Sequence, residues 1–201
     1  MKYFSIDIET TGIDSDLNQI LQIGIVLEDT NNLLPIEDLP KFMCYVDNGD
    51  TLCGSPFALS MNSKILQRLA DPEYLEESDK VYPVDIVSSA IKIWINHVYP
   101  ECPTSYCKLN LVCAGKNFGS FDKLFLQKLP RWNNFFKISH RSIDPAGYAI
   151  DWVNDTDLPD SKLCLSRANI EKSVSHDALE DALDIIKILR KFTNNYSLKL
   201  Y

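Results

Sequence analysis

Tyr3-Phe4-Ser5-Ile6-Asp7-Ile8-Glu9, followed by the turn Thr10-Thr11-Gly12, decides how this chain is read. Side chains alternate between faces along a strand, so Ser5, Asp7 and Glu9 share one face while Phe4, Ile6 and Ile8 share the other. The two carboxylates therefore stand side by side, with about 7 Å between their Cα atoms. A strand this apolar belongs in the interior of a sheet, where unpaired like charges are costly. A divalent cation removes that cost, and magnesium and manganese favour oxygen ligands. Taken alone, the pair reads equally well as a polar strand end at the surface. The rest of the chain decides between the two.

Its length of 201 residues suits one domain spanning 1–201, with a substantial core. A hydrophobic fraction of 45% beside 24% charged residues is that of an ordinary globular protein. No apolar run approaches the roughly 20 residues that span a bilayer, and Asp7 and Glu9 interrupt the only apolar stretch near the N-terminus. The expectation is no membrane partner and a cytoplasmic location. The six cysteines (Cys44, Cys53, Cys102, Cys107, Cys113 and Cys164) are irregularly spaced, with no Cys-x-x-Cys, and read as buried reduced thiols. With three scattered histidines they give little support to a zinc site.

The net charge of −8 is unevenly spread. Residues 108–141 carry seven bases (Lys108, Lys116, Lys123, Lys128, Arg131, Lys137 and Arg141) and a single acid, Asp122. Such a segment tracks a phosphate backbone even on an acidic protein. By itself it reads more readily as a solvated helix face. Arg131-Trp132 offers a stacking site for a base, against which burial of Trp132 weighs more.

Along the chain, Gln19–Leu27 and Phe42–Val46 read as strands, separated by the polar turn Glu28–Asn32. With the first strand they form an antiparallel meander. A helical pattern covers Ser55–Ala70, with Ser63 as a cap, and the acidic stretch Asp71–Pro83 reads as a loop. Val84–Tyr99 is amphipathic: Val87, Ala90, Ile91, Trp94, Ile95 and Val98 fall on one stripe and read as core. Pro103–Lys108 is expected as a loop, Leu109–Gly115 as a strand, Phe121–Leu129 as a helix and Phe136–Ile143 as a further strand. After a loop at Asp155–Asp160, helices are expected at Leu165–Lys172 and Asp177–Phe192. Strands first alone, then alternating with helices, give an α/β fold: a mixed sheet, antiparallel meander plus parallel strands, flanked by helices.

Further acids stand out against this framework. Asp122 opens a helix at the end of a strand, where ligands are expected in α/β crossovers, although a helix dipole favours a first-turn acid in any case. Asp181 shares a helix face with Ala178, Ala182, Ile185 and Ile188, and an acid in an apolar stripe needs a partner. Asp177 and Asp184 lie toward the polar side and are expected in solvent. His176 is offset from Asp181 by about 140° on a regular helix. To share a site with Asp181 it must come from the loop before the helix, where Ser173 and Ser175 are cap-forming residues.

Phe4-Ser5-Ile6-Asp7-Ile8-Glu9-Thr10-Thr11-Gly12 resembles the first motif of the DEDDh 3′–5′ exonucleases, the group of RNase T, oligoribonuclease and the polymerase-proofreading exonucleases. Asn117-Phe118-Gly119-Ser120-Phe121-Asp122 looks like their second motif, an Asn followed by an aromatic-Asp pair. His176-Asp177-Ala178-Leu179-Glu180-Asp181-Ala182 matches the third, a His and an Asp separated by four residues. Each motif alone is weak; all three in order are strong. The resemblance implies a ribonuclease-H-like fold in which Asp7, Glu9, Asp122 and Asp181 hold two divalent cations, Mg²⁺ or Mn²⁺. It also implies that His176 is the general base. By the same analogy Thr10, Thr11 and Gly12 meet the 3′-terminal nucleotide, Phe121 packs beside it, and Asn117 braces the site. Two departures stand out. The long acidic interval between the first two motifs carries no transferable contacts, and Lys116 precedes the Asn, facing a phosphate or solvent.

The implied activity is metal-dependent 3′–5′ hydrolysis of single-stranded RNA or DNA, releasing nucleoside 5′-monophosphates. A histidine with an unperturbed pKa near 6.5 suits a general base at neutral pH. Competing readings are a non-catalytic nucleic-acid-binding domain of the same fold and a proofreading-type subunit that needs a partner protein. Intact carboxylates argue against the first. Oligomeric state is not legible in the sequence.

Overall fold

The computed structural model describes residues 1–171 and 176–197, the side chains of 194–197 excepted. β1 (Lys2–Thr10) and β2 (Ile20–Asp29) pair antiparallel from Lys2↔Asp29 to Thr10↔Ile20, and β3 (Lys41–Asp47) continues the meander with Gln22 opposite Tyr45. The expected helix over 55–70 is two: α1 (Pro56–Met61) and α2 (Ser63–Ala70). They part at Asn62, whose side-chain amide donates to the Thr10 carbonyl (3.0 Å) instead of continuing outward. Ser55 rather than Ser63 is the cap, accepting from the Ala58 N–H at 3.2 Å.

The stretch expected as an acidic loop contains β4 (Val81–Pro83), which joins β3 in parallel at the sheet edge. Proline is tolerated there because an edge strand leaves one side unpaired. α3 (Val84–Val98) is the expected amphipathic helix, with Val87, Ile91 and Ile95 fully buried and Trp94 partly so.

Pro103–Lys108 is not a plain loop. β5 (Thr104–Ser105) and β6 (Lys108–Leu111) form a tight hairpin, and β7 (Cys113–Ala114) follows after Val112. The single strand expected over 109–115 is thus divided between two sheets. β7 runs parallel to β1, with Phe4 opposite Cys113, whereas β6 belongs to a small second sheet. α4 (Asp122–Leu126) is shorter than expected, α5 (Trp132–Phe135) follows it, and β8 (Phe136–Ile138) ends early, with only the bridge Ala114↔Ile143 beyond it. α6 (Ala146–Ala149) and α7 (Ser161–Arg167) precede the long α8 (Ala178–Ser197); the expected start of α7 at Leu165 lies four residues too late.

Strand order in the main sheet is β4-β3-β2-β1-β7, so the acidic strand lies inside it, flanked by an antiparallel and a parallel neighbour. Phe4, Ile6 and Ile8 face α3, Phe125, Leu126 and Trp132. On the opposite face Tyr3 and Val26 pack against Ala182, Ile186 and Leu189 of α8. Each buried Ile or Leu contributes about 1.5–3 kcal/mol, which holds α8 flat on the face that carries Asp7. All six cysteines are free; Cys44, Cys102, Cys113 and Cys164 are buried as expected, while Cys53 and Cys107 are exposed. No described helix is long and apolar enough to cross a membrane.

Candidate active site

Alternation along β1 turns Ser5, Asp7 and Glu9 toward α8, and three contacts fix that helix against them. The Ser5 hydroxyl, fully buried, donates to the Ala182 carbonyl (2.7 Å). Gln22, opposite Glu9 on β2, donates its Nε2 to Asp177 Oδ2 (3.1 Å) and accepts from the Ala178 N–H (2.9 Å). Gly24, opposite Asp7, lies directly beneath the start of the helix: a Cβ there would stand 2.3 Å from the Ala178 backbone. Only a residue without a side chain allows β2 and α8 to approach so closely.

Held in this way, α8 delivers Asp181 to β1. Carboxylate oxygens of Asp7, Glu9 and Asp181 all lie within 4.8 Å of one another. Residues 174 positions apart in the sequence thus share a cluster that a cation fits. Two neighbouring acids differ from expectation. Asp177 is not solvated; its Oδ1 caps α8 by accepting the Leu179 and Glu180 N–H groups, each at 3.1 Å. Asp184, one turn after Asp181, is only 4% exposed and accepts from Lys187 Nζ at 2.7 Å. Ser173 and Ser175, expected to contribute caps, lie outside the described residues.

The electrostatics follow from like charges under partial burial. Burial, then Asp122, Asp181 and Glu9, push the Asp7 carboxyl well above its ordinary range. Glu9 is pushed up to about 7 by burial and by Asp181, against the pull of the Asn62 amide. Burial raises Asp122 to about 8 despite backbone N–H groups that favour its charged form. Proximity of a positive charge reverses every one of these shifts. An all-carboxylate donor set is the chemistry of Mg²⁺ and Mn²⁺ rather than of a thiolate-seeking ion. The residues present therefore fit a hard divalent cation.

Asp122 begins α4 and is 2% exposed; it stands outside the trio, yet Asp7 feels its charge. Lys116 lines a cavity of about 50 Å³ together with Asp7, Ser161, Asp181 and Asp184. Its Nζ donates to Asn117 Oδ1 (3.0 Å). Asn117 is exposed and left-handed (φ 57°), and its N–H donates to Asp144 Oδ2 (2.9 Å). Asp144 also accepts from the Ala146 N–H (2.8 Å), which ties this turn to α6.

Phe121 is half-buried, with its ring centroid 5.1 Å from that of Phe125. Thr10 donates to the Gly12 carbonyl (2.7 Å) and buried Thr11 to the Cys53 carbonyl (2.6 Å), so both hydroxyls shape the turn. Gly12 approaches Asn18 so closely that a Cβ would stand 2.4 Å from its side-chain oxygen. His176 is exposed and left-handed (φ 50°), immediately before the capping Asp177. Ser5, Gln22, Gly24, Asn62 and Asp144 all position this site, and none was evident from the sequence. The one available signal was Gln22, a polar residue within the apolar run Ile20–Leu27.

No family model matches this sequence, and no curated protein matches it. Solved structures with a similar fold include E. coli Exonuclease I in complex with a dT13 oligonucleotide, at TM-score 0.63 and 17% identity, covering 98% of this chain and 42% of that one. A zinc-bound form of E. coli Exonuclease I with single-stranded DNA gives 0.64 and 17%, over 99% and 42%. Cell-death related nuclease 4 (CRN-4) gives 0.62 and 16%, over 96% of this chain and 64% of that one. This chain therefore spans about two fifths of the length of Exonuclease I. At these identities the likeness shows the fold, a ribonuclease-H-like mixed sheet between helices, which these nucleases share.

Proposed function

We propose that this chain is a divalent-metal-dependent 3′–5′ exonuclease of the DEDDh kind, acting on single-stranded nucleic acid. The observation that carries the reading is the meeting of Asp7, Glu9 and Asp181 oxygens within 4.8 Å, on a fold similar to that of Exonuclease I and CRN-4. Asp7, Glu9 and Asp181, with Asp122 beside them, are the residues that hold Mg²⁺ or Mn²⁺ in this reading. A pair of such ions, when bound, lowers the pKa of water and neutralises charge developing on the phosphoryl group and the departing 3′-oxygen.

The chain's own groups do the rest. His176, exposed just before the capping Asp177, is the residue assigned to take the proton of the attacking water. Lys116, beside Asp7 and Asp181, offsets phosphate charge at the scissile position. The Thr10–Gly12 turn and Phe121 border the 3′-terminal nucleotide, and Asn117, held by Asp144, braces the opposite wall. Release of nucleoside 5′-monophosphates follows from attack at the phosphorus with loss of the upstream 3′-oxygen.

Single-stranded DNA is the first substrate to try, because the Exonuclease I structures hold it. The test is degradation of 5′-labelled single-stranded DNA and RNA with Mg²⁺ or Mn²⁺, by the wild type and by Asp7→Ala and His176→Ala. A ladder shortening from the 3′ end is expected, abolished by Asp7→Ala and reduced about 10²- to 10⁴-fold by His176→Ala. Binding without any metal-dependent product would instead favour a non-catalytic domain or a subunit that requires a partner.

A further inference from the structure

Seven bases between 108 and 141 surround a single acid, and the fold sorts them. Lys116 joins the acid site, and Lys128 pairs with Asp16. Among the described residues, no ion pair engages Lys108, Arg131 or Lys137. Trp132, the sequence's candidate for base stacking, is 1% exposed, with its ring against Phe136 (4.5 Å between centroids). It cannot stack on a base. An exposed aromatic stands close by.

A groove of about 450 Å³ opens between the β5–β6 turn and β8, where Ser105, Tyr106, Lys108, Gln127, Asn133 and Lys137 stand around an apolar floor of Trp132, Phe136 and Ile138. Register brings its two lysines to one side. Ser105 pairs with Lys108, and Asn110 with Lys137, so these side chains share one face of the small sheet. Leu109 and Leu111 fill the opposite, buried face. Above the groove Tyr106 is 91% exposed, and no described ring packs on it. Tyr106 and Cys107 are both left-handed, with φ of 52° and 62°. A two-residue hairpin of this hand normally takes Asn-Gly, and each ordinary residue held there costs about 1–2 kcal/mol. Backbone strain of this kind collects at functional positions. Here it holds an exposed phenol ring at the groove that Lys108 and Lys137 also line.

We propose that this groove carries the single strand upstream of its 3′ end, Tyr106 stacking on a base and Lys108 and Lys137 meeting phosphates; the inference rests on the exonuclease reading. α4 joins the two regions. Asp122 opens it at the acid site, and Gln127, its C-cap, lines the groove, about 8 Å further along at 1.5 Å per residue. Lys108 lies seven residues before Gly115, at most about 23 Å of extended chain across β6 and β7, a span that several stretched nucleotides cover. On a chain of net charge −8, a strand is drawn to the surface where cations stand unpaired.

The test compares a dinucleotide with an oligonucleotide of about twelve residues. For Lys108→Gln/Lys137→Gln, KM for the longer strand is expected to rise about tenfold, and the slope of log affinity against log salt to fall by about 1.4, from two lost phosphate contacts on a single strand. Dinucleotide turnover stays within twofold. Tyr106→Gly, which relieves the turn, is expected to weaken the longer strand about tenfold with a Tm no lower than that of the wild type. Equal effects on both lengths, or none on either, would overturn the groove. If the wild type cleaves neither, the exonuclease reading fails separately, and binding of the longer strand without metal still decides the groove. Loss in both variants supports it; wild-type affinity in both overturns it.

Discussion

At the scale of single residues, Asp7 shows how the site is balanced. Burial and four neighbouring acids raise its carboxyl well above the ordinary range, so its charge works against the fold unless a cation offsets it. An amide of the same shape removes that repulsion. Asp7→Asn is therefore expected to abolish metal-dependent turnover and yet raise the melting temperature of the metal-free protein at pH 8. Thermal melts in a chelator measure this directly. A lower melting temperature would mean that the Asp7 carboxylate makes a stabilising contact of its own.

At the scale of elements, the decisive joint is between β2 and the start of α8. Gly24→Ala places a methyl group 2.3 Å from the Ala178 backbone, so the helix must retreat and carry Asp181 with it. Overpacking of this kind costs about 1–3 kcal/mol, and the rise in melting temperature on adding Mg²⁺ is expected to shrink by half or more. Gln22→Leu leaves the buried Ala178 N–H without its acceptor, for a similar loss of about 1–3 kcal/mol. Denaturant titrations with and without metal measure both; a Gly24→Ala variant with wild-type metal response would separate the joint from the site.

The same joint shows what could be read in advance. The alternation of β1 and the apolar stripe of α8 are local periodicities, so both elements were legible, as were the three acids that meet. Gly24 and Ser5 act only across a tertiary contact, and Gln22 shows in the sequence only as a polar residue in an apolar run, so no window of sequence reveals what they touch. Asp177 and Asp184 looked solvated because a helical wheel does not show what lies opposite, here Gln22, nor that Lys187 covers an acid one turn away. Asn62 breaks the 55–70 helix to reach Thr10, and the Tyr106-Cys107 turn lacks the Gly or Asn that marks such hairpins. Val112 divides one apolar strand between two sheets, which periodicity cannot register.

At the scale of the whole molecule, the acid cluster makes stability depend jointly on pH and metal. In the metal-free native state Glu9 is pushed up to about 7, Asp122 to about 8, and Asp7 is raised as well. Carboxyls in the unfolded chain titrate near 4. Between those values the native state holds protons that the unfolded chain has released, so stability falls as pH rises. The contribution is fully present below about pH 4 and is lost as pH climbs through 7 to 8. Metal-free Tm is therefore expected to decline from pH 5 to pH 8.5. A cation favours the ionised carboxylates and flattens that decline, whereas at pH 5 protons compete for the same oxygens. Metal at a hundredfold excess over its dissociation constant adds about 2.7 kcal/mol, or roughly 5–10 °C for a chain of this size. That shift should appear at pH 8 and nearly vanish at pH 5. Melting curves at both values, with Mg²⁺ and with a chelator, settle the point: an equal shift at the two pH values would place the cation somewhere other than among Asp7, Glu9 and Asp181.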